Sequence, residues 1–225
     1  MSRKELKAPV IPKELIPVKD IEEILEESAE QECEITNRLF ENAFLIKIRA
    51  VQLDFKQTIF KNCRFTGWDF SETSFINVQF LNCDFSNSNF SDAYFKSCSF
   101  NKCKAVGADF YGSRINHTTF SECNFSETGF DAAHISFFKA ENTDFTEAGF
   151  SKCRLSNIWM DHACFSKASF FKTLLKDIDF STCDIEEITV SDTMEELRGI
   201  KVNLVQAVGL AKRLGIVVKE AENPV

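Results

Sequence analysis

The 225-residue chain has 24 phenylalanines but 2 tyrosines and 2 tryptophans. An ordinary mixed core draws on all three, so this shortage gives Phe one repeated structural task. Glycine-rich phosphate loops are missing, CxxC pairs are missing, and the three histidines, His117, His134 and His162, stand far apart. Without a nucleophile beside a base, a ligand cluster or a phosphate cradle, the sequence argues against an enzyme and calls for no cofactor, metal or small-molecule substrate. Long apolar runs are also absent. Pro9, Pro12 and Pro17 interrupt those near the start, so neither a secretory segment nor a membrane span is read there, and a cytoplasmic protein is expected. The formal charge of -8 argues against direct nucleic-acid binding, while permitting binding to a protein that itself grips nucleic acid.

What the sequence does contain is a period of five. The stretch FLNCDFSNSNFSDAYFKSCSF places Phe80, Phe85, Phe90, Phe95 and Phe100 at equal intervals, and Phe60, Phe65, Phe70 and Phe75 precede them in phase. Five residues advance a helix by about 140°, which scatters the rings around the cylinder, and an odd spacing sends them to alternate faces of a strand. The remaining solution is a chain that bends after every five residues and coils on itself. From Phe40 to Val190, 20 of the 31 residues at multiples of five are Phe and the other eleven, beginning with Leu45 and Ala50, are all apolar. The register never slips, so the coil has no inserted loop or hinge. With about 4.8 Å between stacked strands, roughly eight turns would make a rod about 37 Å long.

A second inward position lies two residues before each ring and is mostly Ala, Cys, Thr or Ser, because small beside large fills a narrow bore. Cys33, Cys63, Cys83, Cys98, Cys103, Cys123, Cys153 and Cys183 occupy it, leaving Cys164 aside, and free thiols packed as small apolar groups are expected. Phe138 and Ala140 have exchanged sizes, and Trp68 lies above Ala50. Ala105, beside Cys103, has no such partner, and a void or bulge is expected near KCKAVGADF.

Open rod ends would recruit other chains. The sequence therefore divides into an N-terminal arm and cap (1–34) with one short acidic helix, the repeat (35–190), and a C-terminal cap (191–225) that reads as strand, helix, strand. Asn203 is its N-cap and Gly215 its stop. Leu204, Ala207, Val208, Leu210, Ala211, Leu214 and Ile216 make that helix region apolar over too wide an arc for one rod end. A symmetric homodimer through the C-terminus would cover the rest.

The A/C-x-F-x-x blocks resemble the pentapeptide repeat family, which implies an all-β fold, a right-handed quadrilateral β-helix, here with a short C-terminal α-helix and strand. The closing LRGIKVNLVQAVGLAKRLGIVV resembles the fluoroquinolone-resistance (Qnr) type, in which such a helix joins two rods end to end. The unbroken register leaves no room for the loops of proteobacterial members, so the loop-free Gram-positive type is the nearer likeness. This resemblance implies a non-catalytic mimic of B-form DNA that occupies the DNA-binding saddle of DNA gyrase or topoisomerase IV and protects it from fluoroquinolones. The alternative is an interaction scaffold whose partner is unrelated to DNA.

Charge sorts by face. With four faces per twenty-residue turn, the face centred on Phe65, Phe85 and Phe125 has 7 acids and 4 bases, and its neighbour, centred on Phe70, Phe90 and Phe110, has 5 and 3. The face centred on Phe55, Phe75 and Phe95 sets Asp54 and Asp177 against Lys56, Lys96, Arg114, Arg154 and Lys176. If phosphates are imitated, the candidates lie on the edge shared by the acidic faces: Asp69, Asp84, Asp92, Asp109, Glu127, Asp131, Asp144 and Glu147.

Overall fold

A computed structural model describes residues 5–44 and 48–219, so Leu45 lies outside the described residues. The chain winds as a parallel solenoid with twenty residues per turn, seen in the register Phe55, Phe75, Phe95, Ile115, Ile135, Leu155. The residue two after nearly every ladder position adopts a left-handed conformation, as at Gln52 (φ 58°), Gln57 (φ 52°) and Asn62 (φ 53°), and this turns the corner. Two faces carry strands. The basic face holds β2 (Ile35–Thr36), β4 (Asp54–Lys56), β6 (Ser74–Ile76) and β8 (Tyr94–Lys96), and its neighbour β3 (Arg38–Glu41), β5 (Ile59–Lys61), β7 (Gln79–Leu81) and β9 (Ser99–Asn101). Strands β10 (Arg114–Ser121), β11 (His134–Glu141) and β12 (Arg154–Asp161) span both. The acidic faces instead form tight turns closed by bonds such as Ser88 N–H to the Phe85 carbonyl, 3.0 Å, and stack through single bridges.

Rings stack along each column and meet edge-on across columns. Phe80 and Phe100 lie 4.3 Å apart and Phe70 and Phe90 4.9 Å apart, while Phe85 meets Phe90 at 71°. Both arrangements suit the ring quadrupole. Every ring from Phe60 to Phe100 in the ladder is buried. Phe138 fills the space beside Ala140 and meets Phe120 edge-on at 4.9 Å, and Trp68 is buried against Phe65 and Phe70. No bulge forms at Ala105, because Lys104 bridges both Asp84 and Asn124 and keeps the backbone in register. The rings rearrange instead: Phe120 stands edge-on to Phe100 and stacks on Phe125 at 4.3 Å.

Seven cysteines are buried and all nine are free. Their thiols donate to nearby carbonyls, as Cys63 does to Phe40 at 3.4 Å, and burial pushes Cys98 and Cys153 up to about 12. Cys33 departs from the sequence expectation and is exposed, because it leaves helix α1 (Ile21–Gln31) before the first coil closes. Asp20 caps α1 by accepting from Glu23 N–H, and Leu25 and Ser28 face the bore.

Upstream of α1, β1 (Ile16–Pro17) adds in parallel to β3 and covers the first strand edge. The arm then runs back along the corner between the two strand faces, where Val10 N–H donates to Asn77 and Lys7 N–H to His117 Nδ1. Asn37, Gln57, Asn77 and His117 are half-buried there and Ser97 is buried, whereas Asn157 and Asp177, further along the same corner, are exposed.

At the other end a 3₁₀ turn (Glu195–Leu197) and α2 (Leu204–Arg213) close the rod. The first expected strand is a single bridge between Asp179 and Lys201. The second is not formed: residues 216–219 have no strand neighbour among the described residues. Asn203 caps α2 in a full capping box with Gln206, and Gly215 (φ 76°) stops it. Among the described residues no helix is long and apolar enough to cross a membrane.

Candidate interaction surface

On the two acidic faces an Asp or Asn before the ring braces the turn at several levels. Asp69, Asp84, Asp109 and Asp144 accept through Oδ1 from the amides of Ser71 (3.1 Å), Ser86 (3.0 Å), Tyr111 (2.8 Å) and Thr146 (2.9 Å). The Ser86 and Thr146 hydroxyls add bonds of 2.6 Å to the same oxygens of Asp84 and Asp144. Asn89 and Asn124 make the equivalent bonds without charge, so the bond needs an acceptor and not an anion. Half of the eight candidate phosphate mimics therefore have a backbone role as well. Asp131 accepts from Ser151 in the turn above, and Asp92, Glu127 and Glu147 stand on left-handed corners.

Three of the eight acids are paired: Asp69 with Arg49 at 3.8 Å, Asp84 with Arg64 at 4.0 Å and Glu147 with Lys167 at 3.8 Å. These long surface pairs contribute little stability. Asp92, Asp109, Glu127, Asp131 and Asp144 have no ion pair among the described residues and are spread over the two acidic faces and their corners in the middle turns of the rod, Asp92 on the corner that adjoins the basic face. The basic face mirrors this. Lys56 pairs with Glu34, but Lys96, Arg114, Arg154 and Lys176, with Lys152 and Lys172 on the adjoining corner, have no ion pair there. The rod is thus electrically sided along its length.

The histidines do not converge. His117 stacks on Phe137 at 4.4 Å, and burial, with Lys7 and Lys96 nearby, pushes its pKa down. His134 is exposed at the start of β11, and His162 meets Asp161 at 2.9 Å.

The apolar residues of the closing segment divide. Leu210 packs against the core and Val208 and Ala211 are half-buried, while Leu204, Ala207, Leu214 and Ile216 face outward. Leu204 is 81% exposed, and Val205 and Val217, which the sequence reading left out, are as open. Polar anchors fix the inner face. Gln206 Nε2 donates to the carbonyls of Phe180 (2.9 Å) and Cys183 (2.6 Å), and Arg213 donates to that of Ile188 (2.6 Å). Beneath them Glu196, also missed, is buried and accepts from the amides of Lys172 and Ser191 and the Ser191 hydroxyl. Its only signal in the sequence is an acid where the coil must close.

No curated protein sequence matches the chain. Among solved structures, a trypsin-treated point variant of QnrB1, a plasmid-mediated fluoroquinolone resistance protein, is similar at 21% identity over 82% of this chain and 93% of its own, with a TM-score of 0.49. Full-length QnrB1 is similar at 21% identity over 77% and 100%, with a TM-score of 0.35. HetL from Nostoc sp. strain PCC 7120, a pentapeptide repeat protein involved in heterocyst differentiation regulation, is similar at 13% identity over 78% and 94%, with a TM-score of 0.39. Residues 33–110 and 93–158 match the model of the pentapeptide repeat region, and together these segments span more than half of the sequence. The chain belongs to the pentapeptide repeat family.

Proposed function

We propose that this rod is a DNA mimic that binds a type II topoisomerase, DNA gyrase or topoisomerase IV, in the cytoplasm and protects it from fluoroquinolones without chemistry of its own. The observation that carries the reading is that Asp92, Asp109, Glu127, Asp131 and Asp144, on the two acidic faces and their corners, have no ion pair among the described residues. A basic saddle shaped for duplex meets there anions whose counter-charges lie on another face. The closing motif, with its outward Leu204, Val205, Leu214 and Ile216, supports an end-to-end homodimer that doubles the length offered.

The test is supercoiling by gyrase partly inhibited with a fluoroquinolone, titrated with the protein. Activity should recover near stoichiometry. A variant carrying Asp84→Asn, Asp109→Asn, Asp144→Asn and Glu147→Gln keeps the turn acceptors and removes four charges. It should lose the rescue with unchanged melting; rescue as strong as the parent's would refute the acidic edge. Removing residues 203–225 should halve the mass seen by light scattering, and an unchanged mass would refute the closing-helix dimer.

A further inference from the structure

The N-terminal arm is fastened to the rod at three places. At its root β1 pairs with β3, where Ile16 N–H donates to the Asn37 carbonyl and Val18 N–H to that of Leu39, both at 2.9 Å. Six residues back, Val10 N–H donates to Asn77 Oδ1 at 3.2 Å, and three residues further Lys7 N–H donates to His117 Nδ1 at 3.1 Å. Asn37, Asn77 and His117 stand on one column of left-handed corners, so the last step climbs two turns of the coil. Two turns rise about 9.6 Å at the usual strand spacing, and three residues reach at most about 10–11 Å. The tip of the arm is therefore nearly taut. It has little else to hold it: Leu6 and Pro9 are half-buried, while Glu5, Lys7 and Ala8 are exposed.

His117 holds that tip through a bond that only the neutral ring can accept. Nδ1 is the acceptor, so the ring proton sits on Nε2, and a second proton would set one donor against another. The other two pins, an asparagine side chain and two backbone carbonyls, do not titrate. The ring lies on Phe137, 4.4 Å away at 21°, which fixes the direction in which Nδ1 points. The cations near it oppose a second proton: Lys7 on the arm and Lys96 on the turn below, while Ser136, Phe137 and Phe138 on the turn above carry no charge. Glu5, two residues along the arm from Lys7, is the acid of the tip and is exposed. Burial, with the two lysines, lowers the His117 pKa while the arm is docked. Releasing the arm removes Lys7 and part of the burial, and the ring returns toward the ordinary value of about 6.5. Docking thus disfavours the proton: its contribution is complete above the ordinary value and is lost as pH falls from there through the lowered one.

We infer that His117 is a proton-operated latch for the tip of the arm, residues 5–9: the neutral ring holds the tip on the corner, and the protonated ring lets it go as far back as the Asn77 pin, opening the corner at Ser97, which is buried between the two pins. The latch lies on the corner between the strand faces and does not depend on how the acidic edge is used.

The test uses the full chain with Cys33→Ser and Cys164→Ser, so that a nitroxide label attached at Ala8→Cys competes only with buried thiols. Paramagnetic resonance at pH 7.5 should show an immobilised label. Titration to pH 5 should raise the ratio of mobile to immobile label at least threefold, since a difference of one pKa unit between free and docked arm gives about tenfold. His117→Asn offers an acceptor that does not titrate, on a left-handed corner of the kind Asn77 and Asn157 occupy in the same column, and its label should stay immobile throughout. His117→Ala removes the acceptor on a corner that alanine tolerates at Ala132, and its label should be mobile already at pH 7.5, with melting unchanged. A parent label that is mobile at pH 7.5, a parent response below threefold, an equal pH response in His117→Asn, or an immobile label in His117→Ala would each overturn the latch.

Discussion

Phe90→Ala removes a fully buried ring from the centre of the rod. The ring stacks on Phe70 at 4.9 Å and Phe110 at 4.7 Å and meets Phe85, Phe95 and Phe75 at 5.6, 5.8 and 6.1 Å, so five rings lose a neighbour at once. Backbone ladders above and below hold those five in place, since Phe90 N–H donates to Asp109 and Phe70 N–H to Asn89. The hole therefore cannot collapse, and transfer and cavity contributions add to about 3–5 kcal/mol. Phe171→Ala is the matched control: the same atoms leave a half-exposed site, and the loss should stay below about 1 kcal/mol. Equilibrium unfolding in guanidinium chloride measures both. A loss under about 1.5 kcal/mol for Phe90→Ala, or equal losses for the two variants, would refute the claim that a rigid ring stack carries the stability.

Three further outcomes follow from single residues. Burial alone would raise the Glu196 carboxyl, but bonds from the amides of Ser191 and Lys172 and from the Ser191 hydroxyl leave its pKa below the usual value. Its stabilisation is therefore complete above the ordinary glutamate pKa and lost as pH falls through the lowered one. Glu196→Gln should cost about 1.5–3 kcal/mol at pH 7, and chemical unfolding at stepped pH should show that difference vanish in acid. Gly112 sits on a left-handed corner where a Cβ would lie 2.5 Å from Asp92 Oδ1, whereas Ala132 occupies the next position in the column at φ 59°. Gly112→Ala should thus lower stability by about 1–2 kcal/mol, measured by thermal melting. A thiol reagent should label Cys33 promptly, Cys164 more slowly and the seven buried cysteines only on unfolding, as mass spectrometry of the labelled chain would record.

The five-residue period decides a great deal without any structure, because an apolar side chain at every fifth position fits neither a helix nor a strand and permits only a coil with a corner in each block. Buried rings, small companions, the Phe138 and Ala140 exchange, the Asn203 cap and the sidedness of charge were all legible for that reason, since each depends on one residue and its phase. What tertiary structure alone decided depends on the backbone shape at each position and on neighbours in other turns. Asp84 and Asp144 look like free surface charge in the sequence, yet each holds a turn through the amide two residues on. Cys33 has the phase of a core residue but no closed coil around it. The arm lies on one corner because Asn77 and His117 receive its amides there, and no local pattern names that corner. Leu155 and Leu175 occupy the same phase, yet one backbone is extended and the other turns inward. The pattern of apolar positions fixes which side chains face the bore, while the hydrogen bonds between turns depend on backbone shape, which that pattern does not encode.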